Sequence, residues 1–177
     1  LLNWSIHMAT HAMIDIETLG TKPNAVILSV GAIKFDPYSN SEPFDGKHWR
    51  LDVDAQTEKD REVNEDTLAW WAKQDPAIQE DAFDFCKKLN KWLVGCDKIW
   101  CQGPQFDMVI LEDFFDNFGH HKNWFYWQVS DCRTLFKLMP KDPRKDIQED
   151  LHNALEDSRW QAVCVQKFYN DFKVLPR

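Results

Sequence analysis

The run Ala25 to Phe35 (AVILSVGAIKF) constrains this chain more than any other stretch. It is apolar at nearly every position and rich in β-branched residues, so an extended segment of it has no face suited to water. It therefore reads as a buried central strand. Ahead of it, His11 to Glu17 (HAMIDIE) alternates and reads as a strand that ends in acid, and Thr18 to Asn24 (TLGTKPN) is a turn built from breakers. Asp36 to Gly46, rich in Pro, Asn, Ser and Asp, is a loop, and His48 to Val53 (HWRLDV) alternates as a third strand. Strands joined by short turns predict an antiparallel meander.

The rest of the chain alternates helix and strand. Thr67 to Lys73 is a short helix. Asp75-Pro76 supplies an N-cap and a first-turn proline, and the apolar period Ile78, Ala82, Phe85, Cys86, Leu89, Trp92, Leu93 carries a helix as far as Gly95. Lys98 to Cys101 is a fourth strand, Phe106 to Phe118 a helix, Tyr126 to Val129 a fifth strand and Cys132 to Leu138 a helix. Met139 to Asp150 is a polar loop, and Leu151 to Phe172 forms the last helix. The expected architecture is α/β, a mixed five-stranded sheet flanked by helices. Residues 1–7 read as a leader carried over from an expression vector, and 8–177 as a single domain.

No apolar run approaches the ~20 residues of a membrane helix. Five cysteines with no CxxC pair argue against a disulfide scaffold or a zinc ribbon, and a reducing cytoplasm fits best. A net charge of -8 argues against holding nucleic acid by bulk electrostatics, unless clustered carboxylates bind cations and change the local sign.

Three signals bear on that exception. Asp15 and Glu17 lie two apart on a strand and so share a face, a donor pair that suits magnesium or manganese. Alone, such a pair is as readily a solvated strand end. Asp107 follows the fourth strand and opens a helix, where an acid also favours the helix dipole. Glu112, Asp113 and Asp116 on the same helix read as solvated. The third signal is His152-Asn153-Ala154-Leu155-Glu156-Asp157. Residues five apart in a helix point about 140° apart, so His152 and Asp157 share a site only if the histidine precedes the helix. Asn153 with Glu156 three later is capping-box-like and places the N-cap at Asn153. A histidine entering the helix beside a fixed carboxylate suits a hydrolase: the acid holds a cation and the imidazole takes a proton from water.

Asp15-x-Glu17, Phe106-Asp107 and His152 with Asp157 resemble, in order, spacing and element, the three exonuclease motifs of the DEDDh class. This class belongs to the DnaQ-like 3′→5′ exonuclease superfamily, on a ribonuclease H-like fold. The resemblance runs from about Met13 to Phe168. The GxxFD form at Gly103 to Asp107, Trp70-Trp71, Arg133-Thr134-Leu135 and the His-Asn-Ala-Leu-Glu-Asp string resemble the branch of phage DexA-type exonucleases and mycobacterial exoribonuclease AS. A class variant with tyrosine in place of the histidine does not match position 152.

The resemblance implies a metal-dependent hydrolase with two Mg2+ or Mn2+ ions, bound by Asp15, Glu17 and Asp157, with Asp107 acting through water and His152 as general base. The implied partners are 3′ ends of single-stranded DNA or RNA, with DNA slightly favoured, and the implied products are 5′-mononucleotides. An exoribonuclease, or an idle nucleic-acid-binding module on the same fold, are the alternatives. Thr18, Leu19 and Gly20 are candidate substrate contacts, with Leu19 a wedge against the last base or a core residue. Phe106 divides between base stacking and core in the same way. Lys137, Lys141, Arg144 and Lys145 precede the histidine and could follow a phosphate backbone, although Asp142 and Asp146 are interspersed. A homodimer is compatible with the family, and so is a host cytoplasm if the protein is phage-encoded.

Overall fold

The computed structural model describes residues 9–71, 73, 79–146 and 153–176. The leader at 1–7, the cap at Asp75-Pro76 and His152 therefore lie outside the described residues. The described elements are β1 (His11–Thr18), β2 (Ile27–Phe35), β3 (Phe44–Arg50), α1 (Val53–Thr57), α2 (Glu65–Trp71), α3 (Ala82–Trp92), β4 (Lys98–Cys101), α4 (Asp107–Asn117), β5 (Val129–Asp131), α5 (Cys132–Leu138) and α6 (Ala154–Asp171). The sheet has five strands in the order β3-β2-β1-β4-β5. β1, β2 and β3 form the expected antiparallel meander, and β4 and β5 extend it in parallel with β1.

β2 is buried at every position except Lys34, as its composition requires. Alternation in β1 sends Ala12, Ile14 and Ile16 into one core with Phe85, Leu89 and Phe114 of α3 and α4. Met13 faces the other way, into a second core with Phe136, Val165 and Phe168 of α5 and α6. Burying one such side chain is worth roughly 1.5–3 kcal/mol. Among the described residues no helix is long and apolar enough to cross a membrane, and all five cysteines are free thiols.

Four boundaries move. The third strand begins at Phe44, because a register shift between Ala32 and Lys34 lets Phe44 pair with Lys34. Its expected end leaves the sheet instead: Asp52 accepts from Ala55 N (3.0 Å) and caps α1, a helix the alternation of HWRLDV conceals. The expected fifth strand starts later, since Tyr126–Gln128 winds into a 3₁₀ turn closed by Phe125 N donating to Gln128 Oε1 (2.9 Å). α3 starts at an Asp81 cap, whose carboxylate accepts from Asp84 N (2.9 Å). Two of the three acids expected to be solvated on α4 are also corrected, while Asp116 is exposed as expected. Asp113 accepts from Arg61 Nη1 (2.7 Å), a guanidinium whose side chain is only 1% exposed and also donates to Ala25 O. Glu112 accepts from Trp124 Nε1 (3.1 Å). A buried arginine needs a counter-charge, and Asp113 is in reach.

At the start of β1, buried His11 accepts from Trp100 Nε1 at Nδ1 (3.0 Å). Burial, reinforced by the Lys98 charge, pushes its pKa down from 6.5 to about 4. The unfolded chain then binds a proton before the folded one does. The associated stability is full above about pH 6.5 and is lost as pH falls toward about 4, by on the order of 2–3 kcal/mol. Urea midpoints at about pH 7 and about pH 4.5 should therefore differ more in the wild type than in His11→Asn. Equal acid sensitivity in the two would contradict this account of the histidine.

Candidate active site

Asp15 and Glu17 project from the face of β1 that α6 crosses, and Asp15 stands opposite Gly31 in the β1–β2 register. A Cβ built on Gly31 would lie 2.0 Å from the backbone of Ala154, so only glycine admits the start of α6 at this point. Ser158 Oγ donates to Gly31 O (3.0 Å) and to Ala154 O (2.8 Å), tying the first turn to β2. Asn153 caps the helix as its sequence predicts, its Oδ1 accepting from Leu155 N (3.1 Å) and Glu156 N (3.3 Å). The helix start is thereby fixed, and Asp157 with it. One carboxylate oxygen from each of Asp15, Glu17 and Asp157 lies within 4.8 Å of the other two.

This dependence is testable. Gly31→Ala should cost about 1–3 kcal/mol by overpacking and push α6 away from β2, so Asp157 parts from Asp15. Urea unfolding and calorimetric titration with Mn2+ would show both effects. Unchanged stability with unchanged metal affinity would mean the contact is not tight.

Asp107 follows the end of β4 and opens α4. Gly103 takes φ 126, and Phe106 N and Asp107 N both donate to Gly103 O (2.8 and 3.1 Å), turning the chain into α4. The Asp107 carboxyl is buried, which pushes its pKa up to about 7. The Glu17 charge adds to the rise, while the Ile16 N–H, its own N–H and the Arg133 charge oppose it. Burial raises Asp15 well above the ordinary carboxylate range. The charges of Asp107, Asp157 and Glu17 push the same way, and only a hydrogen bond from Gln161 opposes them. These acids are crowded and half-buried or buried. Such an all-oxygen set fits a hard divalent cation.

The acids open onto a cavity of about 500 Å³. Arg133, Arg144, Lys145, Phe106 and Trp160 also line it. Arg133 Nη2 donates to Gln102 O (2.8 Å). Arg144 is held by Asp142 through Nε (2.9 Å) and Nη2 (2.5 Å) and lies over the Phe136 ring, while the arginine holds the Asp142 carboxyl at about 2. Two cations of the polar loop thus reach the cavity, and one of its aspartates serves to lock an arginine rather than to oppose it.

The turn after β1 does not join them. Leu19 is fully buried with Val26 and Leu28. Its N donates to Val26 O (2.8 Å), and its O accepts from Asn64 N (2.6 Å) and Thr67 Oγ1 (2.7 Å). Of its two readings this placement fits the core one, with Val26 and Leu28 forming an apolar pocket beneath the turn. Thr18 Oγ1 is spent on Gly20 O (2.6 Å), and Gly20 is closed over by Glu62, whose Oε2 would lie 1.8 Å from an added Cβ. Of the four candidate contacts only Phe106 lines the cavity, and it also packs against the core. Sequence reasoning missed Trp160 and Gln161. Their signal was present, since they follow Asp157 by three and four residues and so share its helix face.

The sequence profile of the 3′-5′ exoribonuclease Rv2179c-like domain family matches residues 10–169. The exodeoxyribonuclease of enterobacteria phage T4 is 26% identical over 121 residues, covering 57% of this chain and 53% of that protein. Cell-death related nuclease 4 superposes with a TM-score of 0.69 at 16% identity, over 93% of this chain and 64% of its own. E. coli exonuclease I in complex with a dT13 oligonucleotide superposes with a TM-score of 0.65 at 15% identity, over 94% of this chain and 41% of its own. The chain thus spans about half the length of the curated relative it matches. The two superpositions show the shared ribonuclease H-like fold. The family match covers the whole sheet, α4 and nearly all of α6, and by it this chain belongs to the 3′-5′ exoribonuclease Rv2179c-like domain family.

Proposed function

We propose that this chain is a metal-dependent 3′→5′ exonuclease that shortens single-stranded nucleic acid from its 3′ end and releases 5′-mononucleotides. The observation that carries the reading is the convergence of Asp15, Glu17 and Asp157 within 4.8 Å of one another, at the mouth of a cavity that also presents two arginines and a lysine. Asp15, Glu17 and Asp157, together with Asp107, would hold two Mg2+ or Mn2+ ions. Such ions supply Lewis-acid stabilisation of charge developing on the phosphate.

The remaining work falls to the chain's own side chains. His152, five residues before Asp157, takes the proton from the attacking water. Arg133, Arg144 and Lys145 offer charge-assisted donors to the phosphates of the strand. Arg144 is pre-oriented by Asp142 and so loses little freedom on binding. The Phe106 ring offers a face for a base, as single-strand binders use aromatics, at about 1–3 kcal/mol per stacked base.

DNA is the substrate favoured by the phage T4 relative, named an exodeoxyribonuclease. RNA is favoured by the family description, which names an exoribonuclease. Two 5′-labelled strands of one sequence, DNA and RNA, incubated with Mg2+ and resolved on a gel, test both. A ladder shortening from the 3′ end supports the exonuclease, and the faster strand is the substrate. Binding of either strand without any cleavage, under Mg2+ and Mn2+ alike, would leave an idle binding module.

A further inference from the structure

Gln161 makes a contact at the site that the proposed chemistry leaves unused. It is 7% exposed and lines the acidic cavity on the α6 face that carries Asp157. Its Nε2 donates to Asp15 Oδ1 (2.9 Å), joining α6 to β1. Its Oε1 is buried and has no hydrogen-bond partner among the described residues.

A buried polar atom left unpaired costs about 1–3 kcal/mol. Packing alone is thus a poor reason for an amide here, since an apolar side chain of equal length would fill the space without that cost. What the amide supplies is a neutral donor. A lysine or arginine would fix the same carboxylate but bring a charge that repels a cation. An amide orients Asp15 and leaves its negative charge in place. It also leaves an acceptor beside the acids, where a strongly hydrated cation brings water, as Mg2+ does in most of its sites.

We propose that Gln161 is a positioning residue: it holds the Asp15 carboxylate in the orientation that receives a divalent cation, and its free Oε1 accepts from water that the cation carries. The inference rests on the metal-dependent reading given above. Gln161 acts through Asp15 and touches no reacting atom. Outer partners of metal ligands typically tune affinity or activity by about 10–100-fold.

The test is calorimetric titration of Mn2+ into the metal-free full chain. Wild type is compared with Gln161→Met, which keeps the length and removes both polar groups, and with Asp15→Asn. Gln161→Leu stands in if the methionine variant does not fold. The expected result is Mn2+ binding weakened about 10–100-fold, with a metal-free thermal midpoint at or above that of the wild type. The Mn2+ concentration for half-maximal cleavage should rise by the same factor, while kcat at saturating Mn2+ stays within a few-fold of wild type. Wild-type Mn2+ affinity in Gln161→Met or Gln161→Leu overturns the proposal. So does weakened binding accompanied by a metal-free midpoint several degrees lower, which marks a merely structural role. If the wild type binds no Mn2+, or Asp15→Asn binds it equally well, the metal reading itself fails, and that failure is visible without any change at position 161.

Discussion

Asp15→Asn is expected to reduce cleavage by at least about 10³-fold, because the several kcal/mol that a metal ion supplies convert at about 1.4 kcal/mol per tenfold in rate. Asp15 feels the charges of all three other acids, Asp107, Asp157 and Glu17. Its folded pKa is raised by burial and by these three neighbouring carboxylates, so a cation placed beside it would favour its ionised form. The same substitution should stabilise the metal-free protein. A carboxyl whose folded pKa is raised contributes stability that is present below its unfolded pKa and lost as pH rises through the folded value. As pH rises above the unfolded value the metal-free wild type loses that contribution, whereas the asparagine does not titrate and can keep the hydrogen bond from Gln161. The metal-free midpoint of Asp15→Asn should therefore exceed that of the wild type at about pH 7.5, and the two should converge near pH 4. Mn2+ should raise the wild-type midpoint and leave the variant unmoved. A variant that cleaves at the wild-type rate, or melts lower without metal, would sink the assignment of Asp15.

His152→Ala is expected to slow cleavage by about 10²–10⁴-fold, the usual worth of a general base. Metal affinity should be spared, since the proposed ligands are carboxylates on β1, α4 and α6. The position lies outside the described residues, so the assignment rests on sequence: it immediately precedes the Asn153 cap and lies five before Asp157. A general base must be neutral to act, so the wild-type rate should rise with pH through the imidazole range and that limb should vanish in the variant. Mn2+ affinity reduced in parallel with the rate would instead make the histidine a ligand.

Much of this site was legible because its signals are local. Asn153 caps α6 where Asn-x-x-Glu predicts, and β4 and α5 fall at 98–101 and 132–138 as their sequences predict. Two acids on one strand face must point together, which the strand period alone ensures. What escaped depends on tertiary partners. Leu19 reads equally as a wedge or as core until Val26 and Leu28 are seen beneath it. α1 is concealed because HWRLDV alternates like a strand, although Leu51 and Asp52 belong to a bridge and a cap. Asp113 looks solvated until Arg61, fifty-two residues earlier, is found buried against it. Gly31 carries no motif at all, and its meaning appears only when α6 is seen resting on it.

The most direct single measurement is a time course on one single strand carrying different labels at its two ends, with Mg2+ present and Asp15→Asn in parallel. The expected result is immediate release of the 3′ label as a mononucleotide while the 5′ label descends a ladder one nucleotide at a time, with neither event in the variant. Early loss of the 5′ label as a mononucleotide, internal cleavage of the strand, or an unchanged ladder in Asp15→Asn would contradict a 3′→5′ exonuclease built on these acids.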